Sequence, residues 1–346
     1  MNPILVEAMR GPALESAHRG AIAVVDADGG LVASLGDIGR PVFPRSAIKV
    51  LQALPLLDSG AADRLQLDDE ELAVVCASHG GEPRHTSVVE RLLGKAGLDS
   101  SALECGTHWP YRETVQRQMA AAGLEPSALH NNCSGKHAGF LGLACQLCGQ
   151  VDLRQYAQGY VAPDHLVMRE VSAAIAAATD CDLGAAPRGT DGCSIPTFAL
   201  PLKQLALAFA RVATGHGLSP GRAAAAGRLR RAVARHPFLV AGTGRFDTKV
   251  MERLGERVFC KVGAEGVYCA ALPDRGIGIA LKIDDGNTAR AAEVAMAAAI
   301  EACVALDDAD AGFMRGLSDV TLKNWKGTAV GALRATDDLR AALRRS

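Results

Sequence analysis

Pro44-Arg45-Ser46-Ala47-Ile48-Lys49-Val50-Leu51-Gln52-Ala53-Leu54 is the stretch around which the rest of the chain arranges itself. A proline suits the first turn of a helix, where a missing backbone N–H costs little. Ile48, Leu51 and Leu54 follow at helical spacing, so one face of this helix turns inward. Ser46 and Lys49 stand three apart, which stacks them on a common face of the first turn. A serine so placed has an amine within reach to take its proton, and a helix start favours developing negative charge. The same residues also describe a capping serine followed by a solvated lysine, and the pattern alone does not separate the two.

A chain of 346 residues can form one large domain or two and bury a sizeable core. With 49% hydrophobic and 22% charged residues the composition is globular. The net charge of −1 gives no electrostatic case for binding nucleic acid or a membrane surface. No apolar run is long enough to span a bilayer. The opening MNPILVEAMRGP lacks the basic region and continuous apolar core of a secretory signal, which reads as a cytoplasmic protein. In that compartment ten cysteines are expected as thiols or metal ligands rather than disulfides.

Turn residues 26–30 join strands expected at 20–25 and 31–35 into a hairpin. From 46 to about 254 the texture is helical, with helices expected near 46–58, 68–76, 86–96, 112–122, 134–148, 164–178, 201–214, 219–235 and 246–254. Asp68 and Ser219 are the capping candidates. Strand texture then returns at 258–262, 267–272 and 277–283, followed by an alanine-rich helix over 288–306 and a short strand at 329–333. The arginine-rich tail carries no pattern. The expected fold is α/β of the α+β kind, an antiparallel sheet built from N- and C-terminal strands and flanked by helices. A sheet lobe of about 1–45 and 255–346 would then carry a mainly helical lobe of about 46–254. The helix opening at Ser46 would lie where the lobes join, a usual place for a pocket.

Three more clusters stand out. In Cys76-Ala77-Ser78-His79-Gly80-Gly81 small polar residues and two glycines make a bend that presents a hydroxyl or simply caps a turn. In Cys260-Lys261-Val262-Gly263 a lysine on an apolar strand is either on the solvated face or aimed into a cleft. Asn131-Asn132-Cys133-Ser134-Gly135-Lys136-His137-Ala138-Gly139 is the densest polar stretch, and a helical start would place Cys133 and His137 on one face. With Cys193 of Asp191-Gly192-Cys193 these residues describe either separate buried thiols and a capping serine, which spacing alone favours, or an open zinc site. Cys145 and Cys148 have ligand spacing without a second pair and read as core.

Taken together and in order, PRSAIK, CASHGGEPRH, NNCSGKHAGF, TDGCSIPT and CKVGAEG resemble the Rhizobium etli-type L-asparaginases from residue 18 to about 306. The fold of that family is similar to serine β-lactamases and penicillin-binding proteins. The resemblance implies two serine–lysine pairs, Ser46 with Lys49 and Ser78 with Lys261. It implies a zinc ion (Zn²⁺) on Cys133, Lys136, Cys193 and water, with His137 and Asp191 beside it. Arg45, His137 and Gly263 fall on the substrate side, L-asparagine is the implied substrate, and a homodimer is implied. Spacing would choose His137 as a ligand where the family points to Lys136, which must then be neutral. Lys261-Val262-Gly263 also lacks the hydroxyl of the β-lactamase Lys-Thr/Ser-Gly triplet, which fits an amidohydrolase better than β-lactam chemistry.

The chemistry so implied is two-step acyl transfer. Ser46 attacks the side-chain amide, neutral Lys49 accepts the proton, and Ser78 with Lys261 serves ammonia departure and then water. Zinc would orient the amino-acid end of the substrate. The rival readings are a serine peptidase or β-lactamase on the same fold, a non-catalytic zinc-stabilised amino-acid-binding protein, and an amidase using zinc-bound hydroxide.

Overall fold

The computed structural model describes residues 1–344, which form two compact units. One takes Met1–Ala47, Ala199–Gly217 and the chain from Arg253 onward, and the other Ile48–Phe198 and Leu218–Glu252.

The first unit is a curled antiparallel sheet with helices. Its strands are β1 (Ile4–Arg10), β2 (Ala13–Asp26), β3 (Leu31–Leu35), β4 (Phe259–Val262), β5 (Val267–Leu272), β6 (Ile277–Ile283), β7 (Asp319–Lys323) and β8 (Ala329–Ala335). Their order is β7-β8-β1-β2-β6-β5-β4, with β3 also on β2. The first half of β2 pairs with β1 (Glu7 opposite Ala17), and the second half with β6 and β3 (Ala23 opposite Ala280 and Ser34). Only that second half, buried from Gly20 to Val25, has the apolar texture of a strand. The polar first half and β1 therefore escape a reading that begins at residue 20.

Other departures have local causes. The single helix expected over 288–306 is a wide π-type turn at Thr288–Ala292, then a helix Glu293–Cys303. A separate helix, Asp308–Ser318, is started by Asp307, whose carboxylate accepts from the Asp310 N–H. The last strand belongs to the β7–β8 hairpin, and Asp337–Arg344 is a helix that buries Leu339 and Leu343, four apart on one face.

The second unit is mainly helical. Among its helices are α1 (Lys49–Asp58), α2 (Asp69–Val75), α3 (Pro83–Lys95), α4 (Ser134–Leu147), α5 (Leu166–Thr179) and α6 (Pro220–Arg235). Asp68 and Glu71 form a reciprocal cap on α2, and Ser219 caps α6, as their residue types suggest. Helix α4 is buried from Ser134 to Ala144 and touches α1, α2, α3 and α5. Cys145 and Cys148, expected in the core, are instead half-buried where this helix ends. All ten cysteines are free thiols. Among the described residues no helix is long and apolar enough to cross a membrane.

Close approach is what α4 requires. A methyl group added at Gly135 would lie 2.2 Å from the Val74 carbonyl oxygen at the end of α2. Gly135→Ala gains ~1 kcal/mol of helix propensity, but the backbone clash costs about 1–3 kcal/mol and forces the two helices apart. The net effect is destabilisation, read as a lower urea midpoint; a midpoint equal to or above wild type would show that the contact is not tight.

Candidate active site

In the sheet unit the chain passes β3 and turns at Pro44. Residues Arg45–Ile48 form one 3₁₀ turn, and the α-helix begins at Lys49 with no side-chain cap. The capping role considered for Ser46 is thus excluded, and Ser46 sits half-buried one residue after a strained one. Arg45 has φ of +51°, a left-handed conformation that costs a residue with a Cβ about 1–2 kcal/mol. The strain is held by neighbours on both sides. The Ala47 N–H donates to the Pro44 carbonyl at 3.1 Å, and Gly263 packs underneath. A methyl group on Gly263 would lie 2.6 Å from that same Pro44 oxygen and 3.2 Å from Ala47 Cβ. The Gly263 N–H closes the β4–β5 hairpin on Val267 at 2.8 Å. Lys261, one strand position earlier than Val262, is fully buried rather than solvated, and its Nζ donates to the Val262 carbonyl at 2.8 Å. Within this unit the fold therefore brings the Arg45–Ser46 turn and the Lys261–Gly263 hairpin together.

The helical unit assembles the second group. Lys49 opens α1 and is 0% exposed. Its Nζ donates to the Ala77 carbonyl, the residue before Ser78, and to the Asn132 carbonyl at 3.3 Å. Burial lowers its pKa, partly offset by Cys133 and Cys193, while Lys136 lowers it further. Cys133 stands at the N-terminus of α4, its N–H held by the Asn131 side chain at 2.8 Å. Lys136, one helical turn on and buried, donates to Cys193 Sγ at 2.9 Å. Cys193 is carried by a tight turn in which Ser194 N–H reaches the Asp191 carbonyl at 2.9 Å and Ser194 has φ of +74°. The Asp191 carboxylate lies 4.0 Å from Cys193 Sγ.

These groups share protons. The Cys193 thiol donates to Cys133, and this, against burial and helped by Lys136 and a hydrogen bond with Lys49, holds Cys133 well below the usual thiol range, as a thiolate. Donation to that thiolate and burial push Cys193 up. Burial alone would lower Lys136, but the two sulfurs and Asp191 hold it above its ordinary value. His137 does not join them. It is fully buried, turned toward Tyr160 with Nδ1 2.6 Å from the phenol oxygen. Lys136 rather than His137 is therefore the partner of the two thiols, because the 3-residue offset from Cys133 is the one that faces Cys193.

Ser78 is buried in a non-helical stretch before α3, its N–H donating to Val240 at 2.8 Å. The next residues anchor it, and pattern reading gave them no role. His79 Nδ1 accepts from Gly81 N–H at 3.1 Å, so Nε2 donates to Ser134 Oγ at 2.9 Å, which donates to Leu129 at 2.8 Å. Burial first, then His85 and Lys49 nearby, hold His79 well below the usual imidazole range, so it is neutral. His85 stacks between His79 and Phe238 at centroid distances of 4.9 and 4.6 Å. Glu82 accepts from Thr243 N–H at 2.8 Å and Thr243 Oγ1 at 2.7 Å. The pairing of Ser134 and Thr243 with residues far off in sequence leaves no local signal.

The L-asparaginase II family model matches residues 6–335. The chain belongs to this family. No curated protein matches it. Among solved structures, the family member is similar to that described as "Crystal Structure Analysis of Mglu", at 19% identity and a TM-score of 0.35, over 79% of this chain and 64% of that one. The same figures for identity and TM-score describe its likeness to Mglu in its glutamate form, with 59% of that chain covered. The chain thus spans less than two thirds of the length of these relatives.

Glu82 gives a pH-dependent check on this loop network. Burial alone would raise its carboxyl, but the two Thr243 donors, His85 and Arg112 lower it below the ordinary value. A group lowered on folding stabilises the native state above its unfolded pKa, ~4.3, and loses that contribution as pH falls through the folded value. Glu82→Gln should therefore cost about 1–3 kcal/mol near neutrality, with the difference from wild type shrinking below about pH 4. Chemical denaturation across pH measures it, and a difference independent of pH would remove the carboxylate from the account.

Proposed function

We propose that the protein is an L-asparaginase of the Rhizobium etli type, with a serine β-lactamase-like fold, working as a homodimer in the cytoplasm. The observation that carries this reading is the fully buried Lys49 amine, three residues after Ser46 in a strained turn, in a chain of the L-asparaginase II family. Burial favours the uncharged amine, which is the form that accepts a proton.

Ser46 is the nucleophile. Its Oγ adds to the side-chain amide carbon of L-asparagine while Lys49 takes the hydroxyl proton. Collapse of the tetrahedral adduct breaks the carbon–nitrogen bond, with the proton delivered to departing ammonia. Water then attacks the acyl ester, returning Ser46 and releasing L-aspartate. Ser78 and Lys261 form the second pair and carry these protons. Arg45, His137 and Gly263 hold the substrate, with Asp191 supporting the amino-acid end.

Among the described residues no three His, Cys, Asp or Glu side chains are grouped as a metal would need. The donor set here is different, two thiols and an amine, mutually bonded and buried, and its soft and borderline atoms suit zinc. Cys133, Lys136 and Cys193 would hold the ion, Lys136 as the neutral amine. When bound, zinc supplies a fixed positive charge beside the amino-acid end of the substrate.

Ser46→Ala should abolish ammonia release from L-asparagine with the fold intact, and Lys49→Met should do the same. The size of one methylene separates similar ligands by ~1–3 kcal/mol; anchoring of both α-groups makes the discrimination against L-glutamine larger than that. Near-wild-type turnover by Ser46→Ala would overturn the serine mechanism. Chelation tests the metal separately. Loss of zinc should raise KM and leave much of kcat, the mark of lost uniform binding. Collapse of kcat with KM unchanged would favour the zinc-hydroxide reading instead.

A further inference from the structure

Strand β7 (Asp319–Lys323) ends the sheet, paired with β8 on one side and, among the described residues, with no strand on the other. The hairpin turn fixes which way its main-chain groups face. The Asn324 N–H donates to the Thr328 carbonyl at 3.0 Å. Asn324, and with it Leu322 and Val320 at period two, therefore turn N–H and C=O toward β8. Asp319, Thr321 and Lys323 turn theirs outward. The Asp319 N–H is taken up by the Arg315 carbonyl at the end of the preceding helix. The open edge thus presents the N–H and C=O of Thr321 and Lys323 and the C=O of Asp319.

The side chains of this edge complement themselves. Asp319 and Lys323 are exposed, opposite in charge and equally spaced about Thr321. Val320 lies opposite the buried Leu333, so Val320 and Leu322 share the core face of the sheet, yet at the open edge both stay only half-buried. Edges of sheets are commonly blunted by charge, and a charge blunts an edge only against a copy that repels it. A two-fold axis through Thr321 sets an antiparallel copy with Asp319 opposite the partner's Lys323 and Val320 opposite the partner's Leu322. The outward-facing residues are then the hydrogen-bonded pairs. Thr321 exchanges two bonds with its counterpart, and each Lys323 N–H donates to the Asp319 carbonyl across the axis. Antiparallel registers centred elsewhere on the strand leave Asp319 or Lys323 without its opposite charge. The same axis carries the hairpin tip, where Trp325 is fully exposed, to the end of the partner's helix Asp308–Ser318, beside the half-buried Leu317 there.

We propose that β7 is the interface of a homodimer, in which two copies pair this strand antiparallel about a two-fold axis at Thr321 and join their sheets into one. The proposal rests on the homodimer reading above and adds the face that makes it. It is independent of the amide chemistry. One short strand and a hairpin tip make a small contact, so the dimer dissociates on dilution.

Sedimentation equilibrium of the full chain over about 1–100 μM tests it. Wild type should show a reversible monomer–dimer equilibrium. Asp319→Lys sets lysine against lysine at both charge pairs, and Lys323→Asp sets aspartate against aspartate. Each should weaken association about tenfold or more. Within its own sheet Asp319 also faces Arg334, so a control for damage to the fold is needed. Mixing the two variants supplies it, because each then meets the opposite charge at both pairs and a mixed dimer should form. Thr321→Pro removes an N–H that points outward and leaves the β8 ladder intact, so it should unfold cooperatively and be monomeric. Should that variant not fold, the charge variants and their mixture decide. A wild-type dimer unaffected by Asp319→Lys, or a mixture that stays monomeric, overturns this interface and leaves the homodimer reading standing. Wild type that is monomeric throughout the range overturns both.

Discussion

A primary amine removed from water must be met by oxygens or lose its proton, and Lys49 imposes that choice on everything around it. Its stem is buried as the first residue of α1, and its tip reaches two carbonyls from separate loops, Ala77 and Asn132. One loop carries Ser78 and the other ends in Cys133. The amine therefore ties these two loops of the helical unit together, and anything that moves it moves both. Cys133 lies within the same set of contacts, so the thiolate and the amine settle their protons together rather than one at a time.

The cluster formed with Lys136 and Cys193 shows why a buried charge is tolerated here. Taken singly, each ionised group would cost several kcal/mol to desolvate. Set together, the ammonium of Lys136 lies against two sulfurs that share one proton, and the group as a whole approaches neutrality. Replacement of that proton and the ammonium's by a divalent ion keeps the same balance, which is why the same three side chains suit both states.

Much of this was legible in the chain. Strand texture marked β4, β5 and β6, helical texture marked the middle of the chain, and Asp68 and Ser219 marked two helix starts correctly. What escaped has a common cause. The polar half of β2 and β1 are strands by virtue of their partners, not their own pattern. Ser46 sits in a 3₁₀ turn packed close against Gly263, over two hundred positions away, where only a residue without a Cβ leaves room for Pro44. Cys133 and Lys136 were within sight of each other in sequence, but Cys193 joins them only through a turn held open by a left-handed Ser194. Tyr160, one of four tyrosines, carries no local mark of its contact with His137.

The pairing of β1 with β8 has a bearing on the order in which the sheet closes. Val6 lies opposite Ala335, so two strands more than three hundred positions apart must meet before that side of β1 is satisfied. Contacts so distant in sequence close late, after local hairpins and helices have formed. Until they do, β1 exposes an unpaired row of backbone donors and acceptors on that side, the kind of edge that recruits strangers. Misassociation during folding is thus concentrated on one flank of one strand.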